Sequence, residues 1–310
     1  MPISESDPPK DFDAPTALPR TEDQAKRWQE ENRSWWEAHP MRYDWHTVVG
    51  HSQFSPAFFA EIDRRFFSSA AEYLPPLITP FDRLIDFEAL ASKDVLEVGV
   101  GNGSHAQLLA RHAKTFTGID LTDYAVSSTG ARLGGSGLKA NVLRMDAERM
   151  TFPDATFDFV WSWGVIHHSS DTRRALREIR RVLKPGGTAT VMVYYRSWWH
   201  YYVVGGLILG LVRGNLFSSG ALHKNNQSFT DGALARFYSA GSWRAMAGDL
   251  LEVRETLVLG PKSDLVPLPA GRLKNSVLRA IPSGVARFLT RRCGMGTFLV
   301  STMAKPLTPP

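Results

Sequence analysis

The chain has 310 residues, of which 43% are hydrophobic and 22% are charged. This composition is typical of a globular protein and excludes a wholly disordered chain, a collagen-like fibre and a disulfide scaffold. Thirty-six basic and 31 acidic residues give a net charge of +5, which permits an anionic partner without requiring nucleic acid. The single cysteine, Cys293, excludes an internal disulfide and a cysteine-rich zinc site, and it fits a reducing compartment.

The first ninety residues predict a tail followed by helices. Residues 1–20 contain five prolines and no apolar run, so we expect a disordered tail rather than a secretory signal peptide. Residues 21–91 are expected to form a helical extension. Its first helix begins near Thr21, because Thr21 and Gln24 have the spacing of a capping box.

Three tryptophans, Trp28, Trp35 and Trp36, fall on one face of this first helix. Two placements of the helix are open. It forms either a cap over a ligand crevice or a helix packed elsewhere on the protein.

From residue 92 the pattern changes to short apolar runs that alternate with helical patterns. The clearest helical pattern runs from Asp171 to Leu183, with Asp171 as its N-cap. Strands separated by helices indicate βαβ units and a parallel sheet covered on both faces. Residues 92–310 are therefore expected to form an α/β domain with a doubly wound, Rossmann-like sheet. The five apolar runs are residues 94–100, 115–121, 138–145, 157–163 and 188–195.

Two insertions, at 196–248 and 260–292, interrupt the later part of this domain and are expected to shape a substrate pocket. The first contains an aromatic and glycine-rich apolar segment, 198–217, whose most apolar part is shorter than the roughly 20 residues of a membrane-spanning helix. It forms a lid, a dimer contact or an interfacial membrane helix. Residues 272–292 predict an amphipathic helix whose basic face contacts either solvent or an anionic lipid or phosphate.

The sharpest motif is VLEVGVGNGSH, residues 95–105, in which a buried strand enters a glycine loop followed by a helix. Glycines let a ligand approach the backbone closely, and the helix N-terminus offers free N–H groups. The spacing differs from the dinucleotide fingerprint, because Ser104 stands where the third glycine belongs. Glu97 would also add negative charge beside a pyrophosphate. It suits a cationic or zwitterionic ligand such as S-adenosylmethionine (SAM).

Two further acidic residues follow the next strands. Asp120 ends the second strand, where a carboxylate can accept hydrogen bonds from both hydroxyls of a ribose. Asp146 follows the third strand and is placed to accept a hydrogen bond from the amino group of adenine. With Glu97, they mark the sheet edge at which open α/β sheets bind ligands.

Four ordered segments resemble class I SAM-dependent methyltransferases, in the broad subgroup that includes the ubiquinone and menaquinone methylases. They are VLEVGVGNGS, FTGIDLTDYAV, MDAERMTFPDATFDFVWSWGVIHH and EIRRVLKPGGTATVMVYY, and they cover about residues 92–196. The resemblance implies about seven strands, the last one antiparallel, and SAM as the cofactor. The residues that it implies at the cofactor are Glu97, Gly99, Gly101, Asn102, Gly103, Asp120, Leu121, Asp146, Ala147 and Trp163.

Methyl transfer from a sulfonium requires alignment and exclusion of water, and a general base only where the acceptor holds its proton. His167 and His168 follow the fourth strand and are candidates for that base, or they pack against or cap the helix after Asp171. Aromatic residues near the sheet edge are expected to line the substrate pocket, or to belong to core or lid packing. They are Trp36, Tyr195, Trp198, His200 and Tyr201.

These patterns predict transfer of a methyl group from SAM to an O or C atom of a small-molecule or lipid-like acceptor. The alternatives are a nicotinamide-dependent oxidoreductase and a non-catalytic module that binds SAM or a membrane. An Asn/Asp-Pro-Pro-aromatic tetrapeptide does not follow the fourth strand, so we expect no nucleic-acid acceptor. We expect no metal, a cytoplasmic location and peripheral membrane contact through 198–217, and we leave the oligomeric state open.

Overall fold

The computed structural model describes residues 12, 14–43, 48–218, 220–228, 230, 232, 234–269 and 271–307. One sheet runs in the order β3-β2-β1-β4-β5-β8-β7, and the short β6 pairs with β5. β8 is antiparallel to both of its neighbours, and the other pairs are parallel. The strands are β1 Asp94–Val98, β2 Thr115–Asp120, β3 Asn141–Arg144, β4 Phe157–Trp163, β5 Leu183–Tyr195, β6 Phe237–Tyr238, β7 Glu252–Leu259 and β8 Phe298–Ala304.

The predicted fold class is confirmed, including the antiparallel last strand. The two-residue β6 is an addition, which the sequence did not indicate. The helices are α1 Glu22–Ala38, α2 Pro56–Tyr73, α3 Ser104–His112, α4 Asp123–Gly135, α5 Thr172–Val182, α6 Leu209–Val212, α7 Ala221–Gln227, α8 Ala240–Gly248, α9 Arg272–Ala280 and α10 Ser283–Arg287. Two 3₁₀ turns, Ala89–Ser92 and Lys262–Leu265, and two π-helical segments, Trp198–Ile208 and Phe288–Arg292, join them.

Side-chain caps start the helices where the sequence predicts them. Thr21 accepts a hydrogen bond from the Gln24 N–H at the start of α1, and Asp171 accepts from the Arg173 and Arg174 N–H groups at the start of α5. Such caps satisfy N–H groups that the helix itself leaves unpaired.

Two apolar layers cover the two faces of the sheet. One contains the buried side of α5, with Leu176 and Ile179, and the side of α8 that carries Trp243. The other contains Phe66 from α2 and Leu109 from α3. The carboxyl ends of the parallel strands therefore stay open between the two layers.

The described part of the predicted disordered tail is ordered, which corrects the prediction for residue 12 and residues 14–20. Phe12 is buried and packs edge-to-face on Trp28, with ring centroids 5.4 Å apart. The Pro15 carbonyl accepts a hydrogen bond from the Phe237 N–H, so the chain adds to the sheet edge beside β6. Residues 1–11 and 13 lie outside the described residues.

Candidate functional site

A cavity of about 360 Å³ opens at one edge of the sheet, across the carboxyl ends of four neighbouring parallel strands and the amino end of the antiparallel β8. In the order of the sheet, its wall includes Asp120 after β2, Glu97 on β1, Trp163 on β4, Tyr194 on β5 and Phe298 on β8. Neighbouring strands lie about 4.8 Å apart, so the cavity extends over roughly 19 Å of the sheet edge. That length accommodates two ligands side by side.

The glycine loop forms the floor of the cavity below β1 and β2. Gly99 has a φ of +82° and Gly101 a φ of +52°, which side chains other than glycine adopt with strain. A Cβ on Gly99 would lie 2.2 Å from Cγ2 of Val165, whereas a Cβ on Gly101 would meet open space. The Gly101 N–H donates to Asp120 Oδ2 at 3.1 Å, which holds the loop against β2.

Glu97 is the least satisfied charged group in the wall. Its side chain is 2% exposed, and Oε2 has no hydrogen-bond partner among the described residues. Burial, followed by the charge of Asp120, raises the pKa of Glu97 well above its ordinary value. His105 Nδ1 lies 3.9 Å from Glu97 Oε1, but burial lowers the pKa of His105 to about 3, so this imidazole is neutral at neutral pH. A bound cationic group would satisfy the carboxylate.

Nine of the residues singled out from the sequence meet at this cavity. They are Trp36, Glu97, Gly99, Gly101, Asp120, Leu121, Ala147, Trp163 and His168. Their convergence puts two of the three predicted acidic residues, two glycines of the loop and one of the paired histidines around one space.

Three predicted cofactor residues lie behind the wall. Asn102 donates to the Met41 carbonyl oxygen at 2.6 Å and accepts from Ser128 Oγ at 2.8 Å, so it ties the loop to the N-terminal extension and to α4. Gly103 starts α3 with a φ of +77°. Asp146 accepts from Gln29 Nε2 at 2.8 Å, so α1 occupies one of its carboxylate oxygens, and its contact with adenine stays a prediction.

The histidine pair separates into two environments. His168 lines the cavity, and its Nδ1 lies 2.8 Å from the Leu234 carbonyl oxygen. His167 is fully buried between the rings of His168 and Tyr194 and does not reach the cavity. Burial lowers the pKa of both, to about 4 for His168 and well below the ordinary value for His167. Of the two candidates for a general base, only His168 therefore lies where it could reach a bound acceptor, and its role stays a prediction.

Of the five predicted aromatic pocket residues, Trp36 on α1 lines the cavity. The other four lie at the end of β5 or after it, and they are outside the cavity wall. Trp198 is half exposed and donates to the Cys293 carbonyl oxygen at 2.8 Å. Tyr201 packs on Phe237, with ring centroids 5.1 Å apart. Tyr195 and His200 also lie outside the cavity wall. The segment 198–217 contributes no described residue to the wall, so it is not the lid of this cavity.

The sequence analysis missed the other end of the cavity. There α2 supplies Phe66, Ser69 and Tyr73, and the strands supply Met192, Tyr194 and Phe298. Tyr73 and Phe298 are 225 positions apart in the chain and meet edge-to-face at 5.5 Å. Nothing in the local sequence marks such a contact. The aromatic content of α2 was the one available signal.

α1 lies across the acidic end of the site. Gln29 donates to Asp146 and accepts from the Ser170 N–H at 2.9 Å. At the far end of α1, Glu37 accepts from the Asp123 and Tyr124 N–H groups, which caps the N-terminus of α4. Gln29, Asn32 and Trp36 line the cavity. The helix therefore covers the crevice between α4 and α5.

Residues 96–191, about a third of the chain, match the family model described as a methyltransferase domain. The chain carries a methyltransferase domain. The fold of the wider chain agrees, because it matches a chain of the complex between the Haloferax volcanii Trm112 methyltransferase activator and a methyltransferase. That match has a TM-score of 0.54 and 18% identity, and it covers 90% of this chain and 99% of the other.

Curated relatives match about a third of the chain. The phthiotriol/phenolphthiotriol dimycocerosates methyltransferase of Mycobacterium tuberculosis is 39% identical over 100 residues, which are 32% of this chain and 36% of the relative. The 27-O-demethylrifamycin SV methyltransferase of Amycolatopsis mediterranei is 33% identical over 110 residues, 34% of this chain and 40% of the relative. The chain thus spans two fifths or less of the length of these relatives.

SAM is the cofactor that this methyltransferase domain implies, and the wall fits its chemistry. The unpartnered Glu97 carboxylate offers a partner for a cationic group, and Gly101 leaves open space beside the loop. Among the described residues, no group of three or more His, Cys, Asp or Glu side chains is arranged to hold a metal ion. None of the described helices has the length and apolar character needed to cross a membrane.

Proposed function

We propose that this protein transfers a methyl group from SAM to an O or C atom of a small-molecule or lipid-like acceptor. The observation that carries the proposal is the single cavity across five strands, acidic and glycine-lined at β1 and β2 and aromatic at β5 and β8. SAM supplies an activated methyl group on a sulfonium. The acidic half takes the cofactor, and the aromatic half takes the acceptor.

The acceptor half favours an apolar molecule with few polar groups. Phe66, Tyr73, Met192 and Phe298 supply apolar contact area there. Burial raises the pKa of Tyr73, so its hydroxyl group stays protonated at neutral pH. The names of the two curated relatives, for dimycocerosates and for a rifamycin, support a non-polymeric acceptor.

His168 is the residue that we assign to the acceptor proton. Because Nδ1 faces the Leu234 carbonyl oxygen, the neutral ring donates there and leaves the lone pair of Nε2 as an acceptor. Bound SAM would supply the methyl group and leave as a neutral thioether, and the hydroxyl proton of the acceptor would become strongly acidic as its oxygen is methylated. A base with a pKa of about 4 can then take that proton.

The test is titration with S-adenosylhomocysteine in a calorimeter, followed by transfer of labelled methyl from SAM into fractions of an extract of the source cells. We expect binding, and label in the organic or the aqueous small-molecule fraction. Asp120→Ala should weaken S-adenosylhomocysteine binding roughly 10- to 100-fold, because charge-assisted hydrogen bonds vanish.

Each alternative has its own outcome in this test. Preferential binding of NADH would indicate an oxidoreductase, which the spacing of the glycine loop and the family match disfavour. Tight binding of S-adenosylhomocysteine without transfer of labelled methyl to any fraction would indicate a non-catalytic module. Label in nucleic acid would overturn the proposed acceptor class. We further propose that the enzyme is cytoplasmic and makes peripheral contact with a membrane.

A further inference from the structure

The π-helical segment Trp198–Ile208 and the helix α6 that continues it present a row of apolar side chains to solvent. We call this row the apolar stripe. Its side chains are between 46% and 63% exposed, and they belong to Trp198, Tyr202, Leu207 and Leu211. Their spacing is four, five and four residues. Hydrogen bonds in a π-helix join residues five apart, so one turn takes between roughly four and five residues. The π-helical winding therefore keeps the stripe on one face.

The opposite face of this segment is packed against the rest of the protein. The exposure of the stripe is therefore not the result of a poorly packed segment. Tyr201 and Gly205 are buried on that face. A Cβ on Gly205 would lie 2.4 Å from the Asn226 side chain, and Asn226 Nδ2 donates to the Tyr201 carbonyl oxygen at 3.0 Å. α7 thereby fixes which side of the segment faces outward.

The second insertion joins the same face. Trp198 Nε1 donates to the Cys293 carbonyl oxygen at 2.8 Å, and Trp199 Nε1 donates to the Asp264 carbonyl oxygen at 3.0 Å. Residues 272–292, here called the basic insertion, add further exposed apolar and basic side chains. They are Leu273, Val285 and Phe288, with Arg272, Arg279, Arg291 and Arg292.

Basic residues are concentrated in two acid-free stretches of the sequence that overlap these two insertions. No acidic residue stands between Glu178 and Asp231, and none follows Asp264. Residues 196–230 and 265–310 together contain ten basic residues and no acidic one, whereas the whole chain has a net charge of +5. The rest of the chain consequently carries a net charge of −5.

We propose that the apolar stripe and the basic insertion form one surface that docks on an anionic lipid bilayer. Aromatic side chains favour the headgroup level, and basic residues near an anionic leaflet strengthen binding. Nucleic acid would satisfy the arginines but leave Leu207 and Leu211 without apolar partners. A second copy docked through the same surface would bring two positive faces together.

This surface adjoins the acceptor half of the cavity. Arg287 Nη1 lies 3.5 Å from the carbonyl oxygen of Glu72, which precedes the cavity residue Tyr73. A docked molecule would receive a lipid-like acceptor from the bilayer side. This last step rests on the proposed function, whereas the docking itself does not.

The experiment is co-sedimentation with vesicles of phosphatidylcholine and phosphatidylglycerol in equal parts, compared with phosphatidylcholine alone. We expect the full chain to sediment with the anionic vesicles. Arg291→Gln with Arg292→Gln should weaken binding roughly tenfold or more, and added salt should do the same. Leu211→Ser with Val212→Ser should weaken it roughly tenfold through lost apolar burial.

Matched controls remove the same groups elsewhere on the surface. Arg111→Gln with Lys139→Gln removes two exposed charges near the other end of the sheet, and Leu77→Ser with Ile78→Ser removes two exposed apolar side chains. Both controls should bind vesicles like the unchanged chain. Equal weakening in the controls, or equal binding to neutral vesicles, would overturn the proposal.

Two other results would also overturn it. One is binding to a nucleic-acid duplex without binding to vesicles. The other is a concentration-dependent dimer that Leu211→Ser with Val212→Ser dissociates, without vesicle binding. S-adenosylhomocysteine titration of the same samples separates the two proposals. Lost vesicle binding with intact cofactor binding removes the docking surface alone, and the reverse removes the proposed function alone.

Discussion

Gly99 and Gly101 lie two residues apart in one loop, yet their surroundings differ. Gly99 touches Val165 in the loop after β4, so it needs glycine for space as well as for its backbone angle. Gly101 needs glycine only for its backbone, and it faces open space at the cavity. Substitutions at the two positions should therefore distinguish an effect on the stability of the loop from an effect on ligand binding.

Gly99→Ala should lower the free energy of unfolding by about 3 kcal/mol, because a clash adds to a left-handed backbone. Gly101→Ala should lower it by only about 1 kcal/mol. The new Cβ of Gly101→Ala should nevertheless weaken S-adenosylhomocysteine binding. Urea denaturation and calorimetry measure the two effects. Equal losses of stability would contradict the role given to Val165.

The role of His168 can be tested with two substitutions, each of which replaces one of the two ring nitrogens with an amide group. His168→Asn keeps a donor for the Leu234 carbonyl oxygen and removes the Nε2 acceptor. His168→Gln places an amide near the position of Nε2. We expect both substitutions to lower kcat about 100-fold with S-adenosylhomocysteine affinity unchanged, because a neutral amide cannot take the acceptor proton.

The readout for His168 is the separation of kcat from cofactor affinity. His167→Asn serves as the comparison, since His167 lies outside the cavity and should change stability more than turnover. If His168→Asn turns over normally, the acceptor proton does not go to this residue.

α1 acts at the scale of an element, because it is held at both ends and crosses the site between them. Glu22 pairs with Arg149 and Arg174 beside α5, and Glu37 caps α4. Gln29 bonds Asp146 and Ser170 at the middle of the helix. We therefore expect this helix to slow the exit of a ligand from the acidic half.

Gln29→Ala should therefore speed S-adenosylhomocysteine dissociation roughly tenfold, since two hydrogen bonds that hold the cap are lost. Stopped-flow fluorescence from the nearby tryptophans measures this rate. Glu30→Ala is the control, because Glu30 pairs with Arg33 on the outer side of α1. A similar change in both variants would mean that α1 does not gate the site.

At the scale of the whole molecule, a buried polar network joins the N-terminal segment to the loop after β4. Arg236 is fully buried and donates to the carbonyl oxygens of Ala17, Ser169 and Ser170. Glu148 accepts from Ser170 Oγ and from the Asp171 N–H. The network holds the loop that carries His168 in place.

Glu148 should make the stability of the whole chain depend on pH. Burial raises the pKa of Glu148 from 4.5 to about 7 in the folded protein. Because the folded state holds this proton more tightly than the unfolded state, the stabilisation is complete below pH 4.5. It is lost as pH rises to about 7.

Glu148→Gln should remove this dependence, which is on the order of 3 kcal/mol across that range. Urea denaturation of both proteins over the same pH series measures it, and the difference between them isolates Glu148. The buried histidines act in the opposite direction but are common to both proteins. A constant difference between the two curves would remove Glu148 as the titrating group.

The sequence by itself determined the features that neighbouring residues decide. The alternation of strands and helices, the caps Thr21 and Asp171, and the glycine loop all follow from short patterns, because turns, caps and alternating elements depend on local backbone energetics. The motifs also identified the methyltransferase domain. They cover about a third of the chain, so they fixed the cofactor half of the cavity and not the other half.

Only the tertiary structure decided which residues share the acceptor half. Tyr73 and Phe298 meet across 225 positions, and one histidine of an adjacent pair reaches the cavity while the other does not. The apolar stripe likewise depends on π-helical winding, which α-helical periodicity does not predict. These outcomes arise from packing between distant segments, whose energies no local pattern contains.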